Sequence, residues 1–342
     1  MAGFVPLEGE LRIMTKELIA GAGRNIRRKV REAAHIPVVE IPEGRWFDIP
    51  RRGRTWLTDI PGPSEDAPSI VLLHAVGCTG MLTWFTCIEE LRKRYRVVIF
   101  DQRWHGRGIL SEHFSIHDCA DDVAAVIQEL ELNKPIVAGY SMGSIIAQRV
   151  WRQHPDLVGG LVLGATTGHF RNNLQERIFH AGLEFGGGAM RALSKAKVLD
   201  RAGRTAVKML DIGQAQGDIS EWAIDEWRST SPWAIGQAVA SLGRHHSTPW
   251  LNRIDVPVAV VVTTKDKVIP TERQLALAGS IPGATIHEAR TGHAGVVMES
   301  EKFVPVFVEA VNVTQARIAD KQRKAEKRTT RSENKKRAVR PA

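Results

Sequence analysis

Gly139-Tyr140-Ser141-Met142-Gly143 sets a serine between two glycines, after the apolar run Pro135-Ile136-Val137-Ala138 and before Ile145-Ile146-Ala147-Gln148-Arg149-Val150. A strand, a sharp G-x-S-x-G turn and a helix in that order lift the serine hydroxyl onto a strained corner above a sheet. The helix N-terminus then points at whatever the oxygen attacks. Glycine suits both flanks, because a side chain there would crowd the neighbouring strand or helix. A serine so placed is a useful nucleophile only beside a base, and the base needs a third group to orient it. Asp266 follows the β-branched run Pro257-Val258-Ala259-Val260-Val261-Val262, which reads as a fully buried strand. It therefore lies past a strand's carboxyl end, where α/β folds gather their chemistry. His293 follows a helical segment near 271–280 and a strand near 284–289, on the loop Arg290-Thr291-Gly292-His293-Ala294. Asp255, Asp211 and Asp218 are rivals for the acid, but none follows a buried strand so directly. The chemistry these types support is acyl transfer: His293 takes the Ser141 proton while Asp266 holds the imidazole in the right tautomer.

Two further segments bear on where such a site would sit: Ser69-Ile70-Val71-Leu72-Leu73-His74-Ala75-Val76-Gly77 and Val97-Val98-Ile99-Phe100-Asp101-Gln102-Arg103-Trp104-His105-Gly106-Arg107-Gly108. With the order Ser141, Asp266, His293, these segments resemble the α/β-hydrolase superfamily from about residue 45 to about residue 310. The first resembles the family's H-G-x-x loop and the second its D-x-R-G-H-G-x-S loop.

The resemblance implies an α/β fold of the α/β-hydrolase type: a mostly parallel twisted sheet flanked by helices, with a helical cap inserted after the sixth strand. It also implies Ser141 as nucleophile, Asp266 as acid and His293 as base, with an oxyanion hole made by the backbone N–H groups of Val76 and Met142. No cofactor is implied. Two positions depart from the pattern. Ala75 stands where glycine is usual, and Trp104 replaces the glycine of the R-G-H-G loop, where its indole would narrow the pocket or pack beneath the next helix. Ala75, Cys78 and Trp104 are thus candidate pocket residues. His74 and His105 read as scaffold, and Asp101 and Arg103 as groups that bond turn backbones.

After the run Gly160-Leu161-Val162-Leu163-Gly164-Ala165 the period turns helical for roughly eighty residues. Segments 172–184, 187–200, 202–213, 219–229 and 233–244 read as helices, punctuated by Gly186-Gly187-Gly188, Gly213, Gly217 and Ser231-Pro232. This is the expected cap, residues 167–250, interrupting a catalytic domain of 45–166 and 251–316. Trp222, Trp227, Trp233 and Trp250 cluster in the expected cap with Phe170, Phe179 and Phe185; most of these read as the cap's own small core, and some, with Trp227 and Trp233 as the candidates, as the lining of an apolar acyl pocket.

The chain has 342 residues, 43% of them hydrophobic, enough for one large domain plus the cap. There is no apolar run of eighteen residues and no secretory pattern in the first thirty. Three cysteines (Cys78, Cys87, Cys119) make no disulfide framework, so a cytoplasmic setting is expected. Neither a phosphate-binding glycine motif nor metal-ligand spacing occurs, so no cofactor and no metal are expected. The net charge of +9 gathers at the ends. Residues 317–342 read as a basic disordered tail, and 10–33, within a peripheral segment 1–44, as a basic amphipathic helix. Together they suggest peripheral contact with an anionic membrane rather than specific recognition of nucleic acid.

The function expected is hydrolysis of a carboxylic ester of an apolar, lipid-derived small molecule through an acyl-enzyme. Alternatives on the same fold are a carbon–carbon bond hydrolase, an acyltransferase and a perhydrolase or haloperoxidase-like enzyme. From another class comes a catalytically silent binding protein.

Overall fold

The strand-forming runs at 70–73, 97–100, 136–140, 160–164 and 258–262 are buried on both faces, which suits a sheet covered by helices on each side. A computed structural model of the chain describes residues 39–170 and 219–338. The readings for 10–33, for the helices at 172–184, 187–200 and 202–213, and for Phe179, Phe185, Asp211 and Asp218 lie outside those residues.

Among the described residues eight strands form one sheet: β1 (Arg45–Ile49), β2 (Gly53–Ile60), β3 (Ser69–Leu73), β4 (Arg96–Phe100), β5 (Ile136–Tyr140), β6 (Gly160–Gly164), β7 (Val258–Thr263) and β8 (Thr285–Ala289). The spatial order is β1-β2-β4-β3-β5-β6-β7-β8. β1 and β2 pair antiparallel, β2 lies antiparallel to β4, and all the others run parallel. Alternate residues of each inner strand feed opposite cores, as the period of two requires. Val71 and Leu73 of β3 join one core with Val137 and Val260, whereas Ile70 and Leu72 join the other with Ala138 and Val261.

The first core is closed by α3 (Ile116–Glu129), α4 (Met142–Gln153) and α7 (Thr271–Gly279). The second is closed by α1 (Gly80–Trp84), α2 (Ile88–Leu91) and α9 (Ser300–Ala338), through Trp84, Phe303 and Phe307. The remaining described helices are α5 (Ile219–Arg228), α6 (Pro232–Gly243) and α8 (Gly295–Met298). After β4 the chain crosses back past β3 to form β5, so the strand order reverses between β3 and β5. A crevice opens beyond the carboxyl ends of two such strands, and it is there that open α/β sheets bind ligands.

Two expectations need correction. Residues 317–338 continue α9 as helix instead of forming a disordered tail. The segment is rich in Lys, Arg, Glu, Ala and Gln, all good helix formers, and has no Gly or Pro before Pro341. Asp320 pairs with Lys324 at 2.7 Å and with Arg323 at 3.3 Å, adding neighbouring-turn support. Of the apolar residues expected to form a cap core, Trp222 packs edge-on against Phe85, and Trp250 stacks on Trp151 with ring centroids 6.1 Å apart. Both therefore pack on the sheet domain. For Trp222 the reason is that α5 lies on the loops at the carboxyl end of the sheet, whereas Trp250 lies beyond α6 and meets the last turn of α4. Among the described residues no helix is long and apolar enough to cross a membrane.

Candidate active site

Ser141 stands at the junction of β5 and α4 with φ 52° and ψ −114°, a conformation that costs about 1–3 kcal/mol and survives only where the surroundings enforce it. Three backbone contacts do so. Ser141 N–H donates to Gly164 O at 2.9 Å, while the amides of Ser144 and Ile145 donate to Ser141 O. Ser144 Oγ is placed between Gly139 O at 2.7 Å and Gly164 O at 2.9 Å, tying the turn to two strands. The flanking glycines are required by space: a Cβ on Gly143 would come within 2.0 Å of Leu73 O, and one on Gly139 within 2.2 Å of the Gly143 carbonyl carbon. Met142 is the first residue of α4, so its N–H is one of the helix's early donors that lack an intrahelical acceptor.

Asp266 lies just past β7 and is 7% exposed. Its Oδ1 accepts from the amides of Val268 at 2.8 Å and Ile269 at 2.9 Å. Its Oδ2 accepts from Thr263 Oγ1 at 2.8 Å and from His293 Nδ1 at 2.7 Å. Burial alone would raise this carboxyl, but the hydrogen bonds from His293, Ile269 and Thr263 outweigh it and hold the group below the usual carboxylate range. Since Nδ1 donates to Asp266, Nε2 is left as the acceptor, and it faces Ser141 Oγ at 3.0 Å. Tyr140 steadies the histidine loop by donating its hydroxyl to His293 O at 2.9 Å. Carboxylate, imidazole and hydroxyl thus form one chain, drawn from loops 152 residues apart in sequence.

The loop after β3 is the other half of the crevice. His74 is buried, donates from Nδ1 to Ala75 O at 2.8 Å and accepts at Nε2 from Gln102 N–H at 2.8 Å. Both partners demand the neutral ring, and burial pushes its pKa down to about 4. Asp101 caps α1 by accepting from Gly80 N–H at 2.8 Å and also accepts from Arg107 N–H at 2.9 Å, so it does bond turn backbone. Arg103 instead forms a two-point pair with Asp122 at 2.7 and 2.8 Å. Asp255 accepts from Trp151 Nε1 at 3.2 Å.

Of the candidate pocket residues, Val76, Ala75 and Cys78 are half-buried along this loop and pack against the cores. Burial pushes the Cys78 thiol up to about 11. Trp104 adopts φ 66°, the left-handed backbone that glycine would favour, and pins its indole by donating to Ser111 O at 3.0 Å beside Phe114. That geometry serves packing. Trp227 is 54% exposed on α5, and Trp233 is half-buried on α6.

Sequence reasoning missed Thr263, Gln274 and Ser144. Gln274 accepts from Thr263 N–H at 2.9 Å and donates to Ile269 O at 2.8 Å, fixing the turn that presents Asp266. The only available signal was polarity at buried helix and strand-end positions. Among the described residues no group of three or more His, Cys, Asp or Glu is arranged to hold a metal ion.

Burial also drives His105 and His245 down, each to about 3, with His74 weighing on the first and Arg149 on the second. All three rings are neutral in the folded chain but take up a proton near pH 6.5 once unfolded. The unfolded state therefore binds more protons below that pH. Stability present above pH 6.5 is lost as pH falls towards the folded values, at about 1.4 kcal/mol per pH unit per histidine. His245→Leu should accordingly show a shallower loss of unfolding free energy between pH 7 and pH 5 in urea titrations. Equal slopes for the two chains would show that His245 is not held neutral.

Comparison with known proteins agrees with this architecture. The alpha/beta hydrolase fold family profile matches residues 68–299. The chain is 34% identical over 97 residues to 3-oxoadipate enol-lactonase 1 of Acinetobacter baylyi, a match covering 28% of this chain and 36% of that protein. It is 27% identical over 249 residues to the pimeloyl-[acyl-carrier protein] methyl ester esterase of Chromobacterium violaceum, covering 71% of this chain and 93% of that one. The crystal structure of the enol-lactonase from Burkholderia xenovorans superposes with a TM-score of 0.60 at 21% identity, covering 78% of this chain and all of the other.

Proposed function

The chain belongs to the alpha/beta hydrolase fold family, and on that premise we propose that it is a serine hydrolase cleaving the carboxylic ester of an apolar small molecule through an acyl-enzyme on Ser141. The hydrogen-bonded chain Asp266–His293–Ser141 carries the reading. As Ser141 Oγ attacks the ester carbonyl, His293 Nε2 accepts its proton, and the imidazolium that forms faces the Asp266 carboxylate. His293 then protonates the departing alcohol. Water, deprotonated by the same ring, attacks the acyl-enzyme carbonyl; the bond to Ser141 Oγ breaks, the ring returns its proton to that oxygen, and the acid leaves. The oxyanion is assigned to the backbone N–H groups of Val76 and Met142, each such donor being typically worth about 3–4 kcal/mol in the transition state. Apolar character follows from Ala75, Val76 and Ile235 around the oxyanion loop; Ile235 Cδ1 lies 3.2 Å from where a Cβ on Gly77 would stand. The relatives named as an esterase and a lactonase point to the same bond type, an acyl carbon joined to oxygen.

A fluorophosphonate probe should label the purified chain, and p-nitrophenyl esters of graded chain length should be turned over. Cleavage of a vinylogous diketone in preference to every ester would move the assignment to carbon–carbon hydrolysis. A folded chain that neither labels nor hydrolyses would be a binding protein.

A further inference from the structure

Beyond the triad, the structure holds a second buried polar cluster that the reaction as described leaves without a role. Glu226 of α5 is 1% exposed, and Asp101 beside it is 3% exposed. Glu226 Oε2 accepts the hydroxyl proton of Thr79, and Oε1 accepts from Arg107 Nη2 at 3.3 Å. Arg107 is shared: its Nε lies 4.0 Å from Asp101 Oδ2, and its guanidinium lies over the Trp56 ring. Two residues past α5, Thr230 Oγ1 accepts from Gly106 N–H at 3.0 Å. Burying two carboxyl groups side by side is costly: burial, and for Glu226 the neighbouring Asp101, push both above the usual carboxylate range against the pull of the one arginine they share. An apolar contact between α5 and the sheet domain would avoid that cost, so the contact needs a reason beyond adhesion.

Thr79 supplies the reason. It is the N-cap of α1, and its Oγ accepts from Leu82 N–H at 3.1 Å. Thr79 also ends the loop that begins at His74. The loop's first residue is pinned by Gln102, and Ala75 is held by Thr83 Oγ1 at 3.3 Å and by Cys78 N–H at 3.3 Å. Its last residue is pinned by Glu226, and its middle is covered by Ile235 of α6. Val76, whose N–H is assigned to the oxyanion, lies between these ties. A donor of that kind is effective only if it is already aimed before charge develops.

We propose that Glu226 is a positioning residue for the oxyanion loop, acting through Thr79, so that a helix following β6 completes a catalytic element built after β3. The inference rests on the serine-hydrolase reading above. Docking of α5 then sets turnover as well as access, because withdrawing Glu226 frees the downstream end of the loop.

Three variants test it on p-nitrophenyl butyrate, with turnover expressed per fluorophosphonate-reactive site. Glu226→Ala and Thr79→Val should each lower kcat by about tenfold or more, short of the 10²–10³ expected for deleting a donor outright. KM should change by less than about threefold, since the interaction matters mainly as oxyanion charge develops. The double variant should lose little beyond either single one, because the two residues act as one unit. Thr79→Ser, which keeps the hydroxyl, should restore most of the turnover. A merely structural contact predicts otherwise: a lower Tm, fewer reactive sites and wild-type kcat at the sites that remain. That result would overturn the proposal, as would fully additive losses. Failure of the serine-hydrolase reading is distinguishable, because then the wild-type chain itself would show no labelling that depends on Ser141.

Discussion

Replacing Ser141 by alanine is expected to lower kcat for ester hydrolysis by about five to six orders of magnitude while the chain stays folded. The size of the effect follows from the absence, among the described residues, of a substitute. The Ser144 hydroxyl is three residues away but is placed between the carbonyls of Gly139 and Gly164. Cys78 lies on the facing loop, yet burial keeps its thiol protonated near neutrality. The strained backbone at position 141 is imposed by Gly164 and by the first turn of α4, so alanine inherits the corner without its oxygen. Measurement of kcat on the purified variant, with the fluorophosphonate probe as a second readout, checks this. Residual turnover above about one per cent of wild type, or labelling that persists, would place the nucleophile elsewhere.

Asp266→Asn should cost about four orders of magnitude in kcat, with the triad atoms still within hydrogen-bond distance. The geometry decides which way the new amide turns. The amides of Val268 and Ile269 both point at Oδ1, so the side-chain oxygen must take that position. The amide nitrogen then occupies the place of Oδ2 and presents hydrogens to His293 Nδ1. Nδ1 becomes an acceptor, the ring proton moves to Nε2, and Nε2 can no longer take the Ser141 proton. Nitrogen NMR of the imidazole should show the exchanged tautomer, and kcat should fall in parallel. Near-normal turnover, or an unchanged tautomer, would mean that the carboxylate does not orient this ring.

How far the chain could be read without coordinates varies with the kind of signal. β5 and β7 are legible because the apolar runs Ile136-Val137-Ala138 and Val258-Ala259-Val260-Val261-Val262 admit few alternatives to a buried strand. The Ser141 corner is legible because two glycines in a strand-to-helix setting meet a need of space, one the Cβ distances bear out. The helical end of the chain was misread. Composition reports that a segment has little to bury, which argues against a core but not against a helix whose Asp320–Lys324 pairing lies on its own surface. The packing of Trp222 and Trp250 on the sheet domain was not legible for a different reason: a pattern of apolar residues announces burial without naming what they are buried against.

What the sequence determined by itself is the set of local needs: which runs become strands, where the chain must turn sharply, and which serine, aspartate and histidine fall past strand ends. Those depend on steric and hydrophobic constraints among residues a few positions apart. Only the tertiary structure decided that Asp266, His293 and Ser141 meet in one chain of hydrogen bonds, that Thr263 and Gln274 brace the acid, and that Glu226 reaches Thr79 across 147 residues. Such contacts depend on how the strands are ordered and how helices settle on their ends, and a side chain carries no local mark of the distant partner it will meet.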